Sequence, residues 1–171
     1  MGQLSLFLAS FIFMISPIWP LGENPLPGDP YVIVNKANNT FAYISKGEID
    51  KTGRVATGKS KALTPEGEFN IIVKAVDPYY RKKDIPGGDP DNPLGSRWIG
   101  FDAKDTDGRT YGLHGTNTPK AIGHFITAGC VRFFEDDIQW LYDHVPLGTK
   151  VLIVDTKKPF EQIAKEQLIL E

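Results

Sequence analysis

With 171 residues, 41% of them hydrophobic and 23% charged, the chain can bury one real core, which excludes both wholesale disorder and two comfortable domains. A formal net charge of −2 and a pI near 5.9 exclude the basic face that phosphate binding requires, so no nucleic-acid partner is expected. The 17 glycines and 13 prolines favour a turn-rich β protein over a helical bundle.

The first predicted element stands apart from the domain. Residues 4–15 (LSLFLASFIFMI) are almost wholly apolar, and Pro17 and Pro20 end any helix there. A run that short suits the centre of a secretory signal better than a membrane span of about 20 residues, although no Lys or Arg precedes it. Residues 1–22 therefore read as a signal peptide or an uncleaved anchor that attaches the protein to the membrane. Either one exports the rest of the chain. Residues 23–30, with three prolines, read as a linker.

Residues 31–35 (YVIVN) and 40–45 (TFAYIS) are β-rich runs around a KANN hairpin turn, and residues 54–57 continue the pattern after a turn at Thr52-Gly53. Thr64-Pro65-Glu66-Gly67 is another turn, followed by the best strand candidate, residues 68–76 (EFNIIVKAV). Residues 77–96 carry prolines and glycines throughout and have no period. A loop this long inside a domain tends to be functional, and it reads as a lid or the wall of a substrate groove. Short strands at 97–101 and 110–113 flank a DTDG turn.

Residues 135–145 form a helix whose opening Glu135, Asp136 and Asp137 suit a helix N-terminus. Ile138, Leu141, Tyr142 and Val145 share one face of it. Pro146 and Gly148 stop it ahead of a buried strand at 150–154. A tail helix at 159–168 docks through Phe160, Ile163, Ala164 and Leu168. The sum is a mainly-β domain at 31–156 with one or two short helices and a helical tail at 157–171.

The chain has one cysteine, so no internal disulfide supports it. A lone thiol is either a small buried hydrophobe or a reactive group, and the neighbours of Cys130 favour the second. Arg132 can stabilise a thiolate or hold a substrate carboxylate. Gly129 lets backbone come close to a ligand, so its N–H and that of Cys130 can face a developing oxyanion. Of the three histidines, His114 is the best base, because it ends a strand and enters a Gly115-Thr116-Asn117 turn. His144 sits near a helix C-terminus, where an imidazolium is simply favourable, and His124 lies in a loop at the cleft rim or in solvent. A catalytic Cys130 is expected to alkylate near neutral pH faster than free cysteine. No metal-ligand spacing, phosphate loop or dinucleotide pattern is present, so no metal and no cofactor is expected.

The run His114-Gly115-Thr116-Asn117, Ile122-Gly123, then Thr127-Ala128-Gly129-Cys130-Val131-Arg132 resembles the L,D-transpeptidase catalytic domain family (YkuD-type). Thr64-Pro65-x-Gly67-x-Phe69, Asn92-Pro93-Leu94-Gly95-x-Arg97-Trp98 and Leu147-Gly148-Thr149-x-Val151 extend the likeness over residues 31–154. It implies a β-sandwich-like fold and a two-step acyl transfer on bacterial peptidoglycan stem peptides, at the cell wall. It also implies Cys130 as nucleophile, His114 as base, and the N–H groups of Gly129 and Cys130 as oxyanion donors. Arg132, Gly115 and Thr127 fall on the substrate-binding side, with the Gly115 carbonyl orienting the imidazole. An acceptor amine gives a cross-link, water in its place gives a carboxypeptidase, and a silent thiol gives a cell-wall binding module. Where the family often has Ser-His before Gly-Cys, this chain has Thr127-Ala128, which keeps a hydroxyl and removes a second imidazole.

Overall fold

The structure, a computed structural model, describes residues 29–170. The expected signal or anchor at 1–22 and most of the expected linker at 23–30 lie outside the described residues. In β1 (Tyr31–Asn35), Val32 and Val34 face the main core while Tyr31 and Ile33 face the other way, as the two-residue period of a strand requires. β1 pairs with β2 (Thr40–Ser45) as an antiparallel hairpin.

β3 (Glu48–Gly58) corrects the expected turn at Thr52-Gly53, because the strand runs straight through both residues. Gly53 stands opposite Phe41, and a Cβ on it would lie 2.6 Å from the Phe41 ring. The glycine there admits an aromatic ring at close range instead of turning the chain.

The remaining strands are β4 (Gly67–Val76), β5 (Arg97–Phe101), β6 (Tyr111–His114), β7 (Phe125–Thr127), β8 (Val131–Phe133) and β9 (Lys150–Val154). They lie in the order β2-β1-β9-β4-β5-β6-β8-β3-β7, and a β2–β3 pairing closes the sheet on itself. Two long strands make the corners. β3 pairs with β2 through residues 48–54 and with β8 through 55–56. β4 pairs with β9 through residues 67–70 and with β5 through 71–76. The result is mainly β and sandwich-like, as expected.

Between the two layers Phe41, Ile71, Ile99, Phe101 and Phe133 are fully buried, each contributing roughly 1.5–3 kcal/mol. α1 (Glu135–His144) adds Ile138 and Leu141 to this core. α2 (Phe160–Glu166) covers the outer face of β1 and β9 with Ile163 and Ala164. Leu168, expected on that face, is instead 83% exposed, and Ile169 is buried in its place. The helix has already ended at Glu166, and Leu168 takes φ +58°, which reverses which residue points inward. Among the described residues no helix is long and apolar enough to cross a membrane.

Candidate active site

β5, β6 and β8 lie side by side, with Trp98 opposite His114 and His114 opposite Arg132. Paired residues share a face, so Ile99, Leu113 and Val131 all point into the core and are fully buried. Trp98, His114 and Arg132 are left on the other face, and Cys130, two residues before Arg132, arrives on the same side. Gly112 clears the space between them, since a Cβ there would lie 2.6 Å from the Trp98 ring. The Trp98 indole N–H donates to the Gly108 carbonyl at 2.8 Å, and the ring stacks on His114 with centroids 5.7 Å apart.

His114 is 3% exposed. Its Nδ1 lies 2.7 Å from the Gly115 carbonyl oxygen. A carbonyl only accepts, so Nδ1 carries the proton and the lone pair of the neutral ring sits on Nε2. Burial pulls the imidazole pKa down to about 4; the Gly115 backbone opposes this, the Arg132 charge adds to it, and the Leu94 backbone opposes it. The ring is therefore neutral at pH 7. His124 is exposed, and His144 stacks on Trp140 of α1 at 3.9 Å, whereas His114 stands on β6 beside the strand that follows Cys130.

The loop that carries the thiol is held from within. Thr127 Oγ1 donates to the Cys130 carbonyl at 2.6 Å and accepts the Gly129 N–H at 3.1 Å. Thr127 is also buried, so its hydroxyl shapes the nucleophile loop and does not face a substrate as expected. The Gly129 N–H is likewise engaged with Thr127 in this state. Gly129 takes φ +137°, and a Cβ there would stand 2.6 Å from the Leu63 carbonyl oxygen, so only glycine fits. The Leu63 loop is clamped in turn by the buried Lys36 ammonium, which donates to the Lys61 and Thr64 carbonyls and pairs with Glu66 at 3.1 Å.

Cys130 is half-buried, and its thiol donates to the Thr110 carbonyl at 3.4 Å and not to the imidazole. Burial pushes the thiol pKa up, against the Gly112 backbone and the charges of Lys82 and Arg132. This direction is opposite to the neutral-pH reactivity expected from the sequence. At rest the pair is a thiol and a neutral imidazole. Arg132 is half-buried, and its Nε is buried without a partner among the described residues.

Cys130 opens into a cleft of about 430 Å³ whose wall is the 77–96 loop, through Pro78, Tyr80, Arg81, Lys82 and Leu94. Buried Asn92 ties that wall down. Its Nδ2 donates to the Pro78 and Pro86 carbonyls at 2.8 and 3.0 Å, and its Oδ1 accepts the Leu94 N–H at 2.9 Å. Arg81, Lys82 and Arg109 line the cleft, and among the described residues no carboxylate does. The low net charge of the whole chain conceals this local excess. A larger hollow of about 740 Å³ near Lys36, Thr57 and Asp155 does not contain Cys130.

Arg109 and Thr110 of the cleft escaped the sequence reading, and so did Glu135 beside His114. Glu135 was read only as a helix N-terminal charge, yet its carboxylate accepts the N–H groups of Thr116 and Ser96, on the two loops that meet beside His114. The available signal was a pair of glycines, Gly95 and Gly115, which leave room for it.

The fold has known counterparts. The model of the L,D-transpeptidase catalytic domain family (YkuD) matches residues 29–153, and the chain belongs to that family. YqjB of Bacillus subtilis, which bears an L,D-transpeptidase name, is 59% identical over 164 residues, covering 96% of this chain and 93% of that protein. YkuD of the same organism is 34% identical over 135 residues, covering 75% and 72%. Among solved structures, L,D-transpeptidase 3 from Mycobacterium tuberculosis with a faropenem-derived adduct superposes at a TM-score of 0.58 and 17% identity. That match covers 75% of this chain and 61% of the other, so this chain spans about three fifths of it, and the likeness speaks for the fold alone.

Proposed function

We propose that the protein is a cysteine acyltransferase acting on peptidoglycan stem peptides, exported to the cell wall or the outer face of the membrane. One observation carries the reading: Nδ1 of a neutral, buried His114 is engaged by the Gly115 carbonyl, which leaves Nε2 as a base one strand away from the only thiol. Cys130 Sγ attacks the amide carbonyl that precedes the terminal D-amino acid of a donor tetrapeptide. Its proton passes to Nε2 and on to the leaving amine, and a thioester remains. An acceptor amine then attacks the thioester, gives its proton to His114, and the sulfur takes it back. Because the resting thiol and imidazole are both neutral, the proton moves only with a carbonyl in place whose developing oxyanion is stabilised. The Cys130 N–H is the principal donor to that oxyanion, since the Gly129 N–H is bonded to Thr127.

The cations of the cleft support a donor with free carboxylates, and Arg132 adds a charge beside the sulfur. Transfer is tested by incubating the protein with a disaccharide tetrapeptide and following products by mass spectrometry, with Cys130→Ala as control. An adduct on Cys130, release of the terminal D-amino acid and a cross-linked dimer are expected. Release without a dimer would make the protein a carboxypeptidase. A folded protein giving neither adduct nor release would overturn the nucleophile and return the binding-module reading.

A further inference from the structure

The Glu135 carboxylate reaches back from the first turn of α1 into a slot built from two loops. Oε1 accepts the Thr116 N–H at 2.7 Å, and Oε2 accepts the Ser96 N–H at 3.1 Å and its hydroxyl at 2.6 Å. Gln139, one turn further along α1, donates to the same Ser96 hydroxyl oxygen at 2.9 Å. A Cβ on either Gly95 or Gly115 would stand 1.9 Å from Oε1, so both positions must lack a side chain for the carboxylate to enter. The Thr116 N–H belongs to the same peptide unit as the Gly115 carbonyl. In a planar trans unit these two groups point in opposite directions. Glu135 therefore grips one end of the peptide whose other end lies 2.7 Å from His114 Nδ1.

We propose that Glu135 is a positioning residue of this site, acting on His114 through the Gly115–Thr116 peptide as a relay of carboxylate, peptide and imidazole. The inference rests on the His114 and Cys130 roles given above. Its first effect is orientation: with the N–H anchored, the peptide cannot swing, so the ring keeps its tautomer and Nε2 keeps its aim. Its second effect is polarisation. A charged acceptor on the N–H shifts electron density toward the carbonyl oxygen, which strengthens the bond from Nδ1–H. That strengthening matters most once the ring has taken the thiol proton and become imidazolium. In a Ser-His-Asp triad a carboxylate does this by touching the ring. Here a peptide bond stands between, and no proton moves to Glu135. The charge that shifts the ring directly is Arg132 on β8, which the variants below leave in place; Glu135 acts on it only through the peptide.

The test uses the purified full chain as wild type, Glu135→Gln and Glu135→Ala, with two readouts. The first is turnover of the disaccharide tetrapeptide. The second is the NMR resonance and solvent exchange of the His114 Nδ1 proton, assigned by its loss in His114→Gln. Glu135→Ala is expected to lower kcat on the order of 10- to 100-fold with KM within about twofold. The Nδ1 proton resonance should move upfield and exchange faster. Glu135→Gln, which can keep an oxygen on the Thr116 N–H without the charge, should fall between the two. Unchanged kcat and an unchanged Nδ1 proton in folded Glu135→Ala would overturn the relay. If Glu135→Ala does not fold, Glu135→Gln decides by the same two readouts. Failure of the underlying function looks different: wild type then shows the protected Nδ1 proton but no turnover.

Discussion

Lowering the pH from 7.5 to 4 should destabilise the wild-type fold by about 3 kcal/mol more than it destabilises His114→Gln. In the unfolded chain His114 titrates near 6.5, whereas in the fold burial holds it at about 4. Above 6.5 both states are neutral and His114 adds no pH dependence. Between 6.5 and 4 the unfolded chain takes up a proton that the fold refuses, so stability falls as the pH falls, and the loss levels off below about 4. At about 1.4 kcal/mol per pH unit, the gap amounts to about 3 kcal/mol. The ring is 3% exposed, so solvent screening does not reduce this figure. Glutamine is uncharged throughout, and carboxylates that titrate in the same range cancel between the two proteins. Urea unfolding followed by tryptophan fluorescence at both pH values supplies the double difference, and Trp98 against the ring supplies a local reporter. Equal losses in the two proteins, to within about 1 kcal/mol, would show that burial does not hold His114 neutral.

Gly129→Ala should lower stability by about 2 kcal/mol and donor turnover more than 100-fold, because the new Cβ meets the Leu63 carbonyl at a strained φ; thermal melting and D-amino acid release check it. Asn92→Ala frees the Pro78 and Pro86 carbonyls, so it should cost about 1–3 kcal/mol, raise KM more than it lowers kcat, and open residues 77–96 to limited proteolysis. Lys82→Glu should raise donor KM several-fold at low salt and also lower kcat, because it reverses a charge that favours the Cys130 thiolate, and its salt dependence should be weaker than that of wild type. Ile163→Ala should cost about 2–4 kcal/mol, while Leu168→Ala should be neutral, which urea titration of both variants distinguishes.

Much of this protein is local enough to be read from its residues. The β-rich run of β1 and the stop at Pro146 are decided by neighbours within a few positions, so the strands at 31–35, 97–101 and 150–154 were legible with their limits, while the turn expected at 64–67 falls at residues 61–63 instead. The order of His114, Gly129, Cys130 and Arg132 was legible for the same reason: an ordered motif is a property of the chain. What sequence could not decide depends on partners far along it. Whether Gly53 turns or extends depends on the Phe41 ring across the sheet. Whether Thr127 faces a ligand or its own loop depends on where its hydroxyl finds an acceptor, and the Cys130 carbonyl takes it.

The protonation states belong to the tertiary structure alone, because desolvation is a property of the packed environment and not of the residue. Burial among β5, β6 and β8 turns an ordinary histidine into a neutral base, and burial of the sulfur moves the thiol away from thiolate. Glu135 illustrates the same division most sharply. In sequence it is one of three acids that favour a helix start. In the fold, the slot between Gly95 and Gly115 commits its carboxylate to the peptide that holds His114. The chain thus fixes which groups are present and in what order, while the closing of the sheet through β3 and β4 fixes which of them meet.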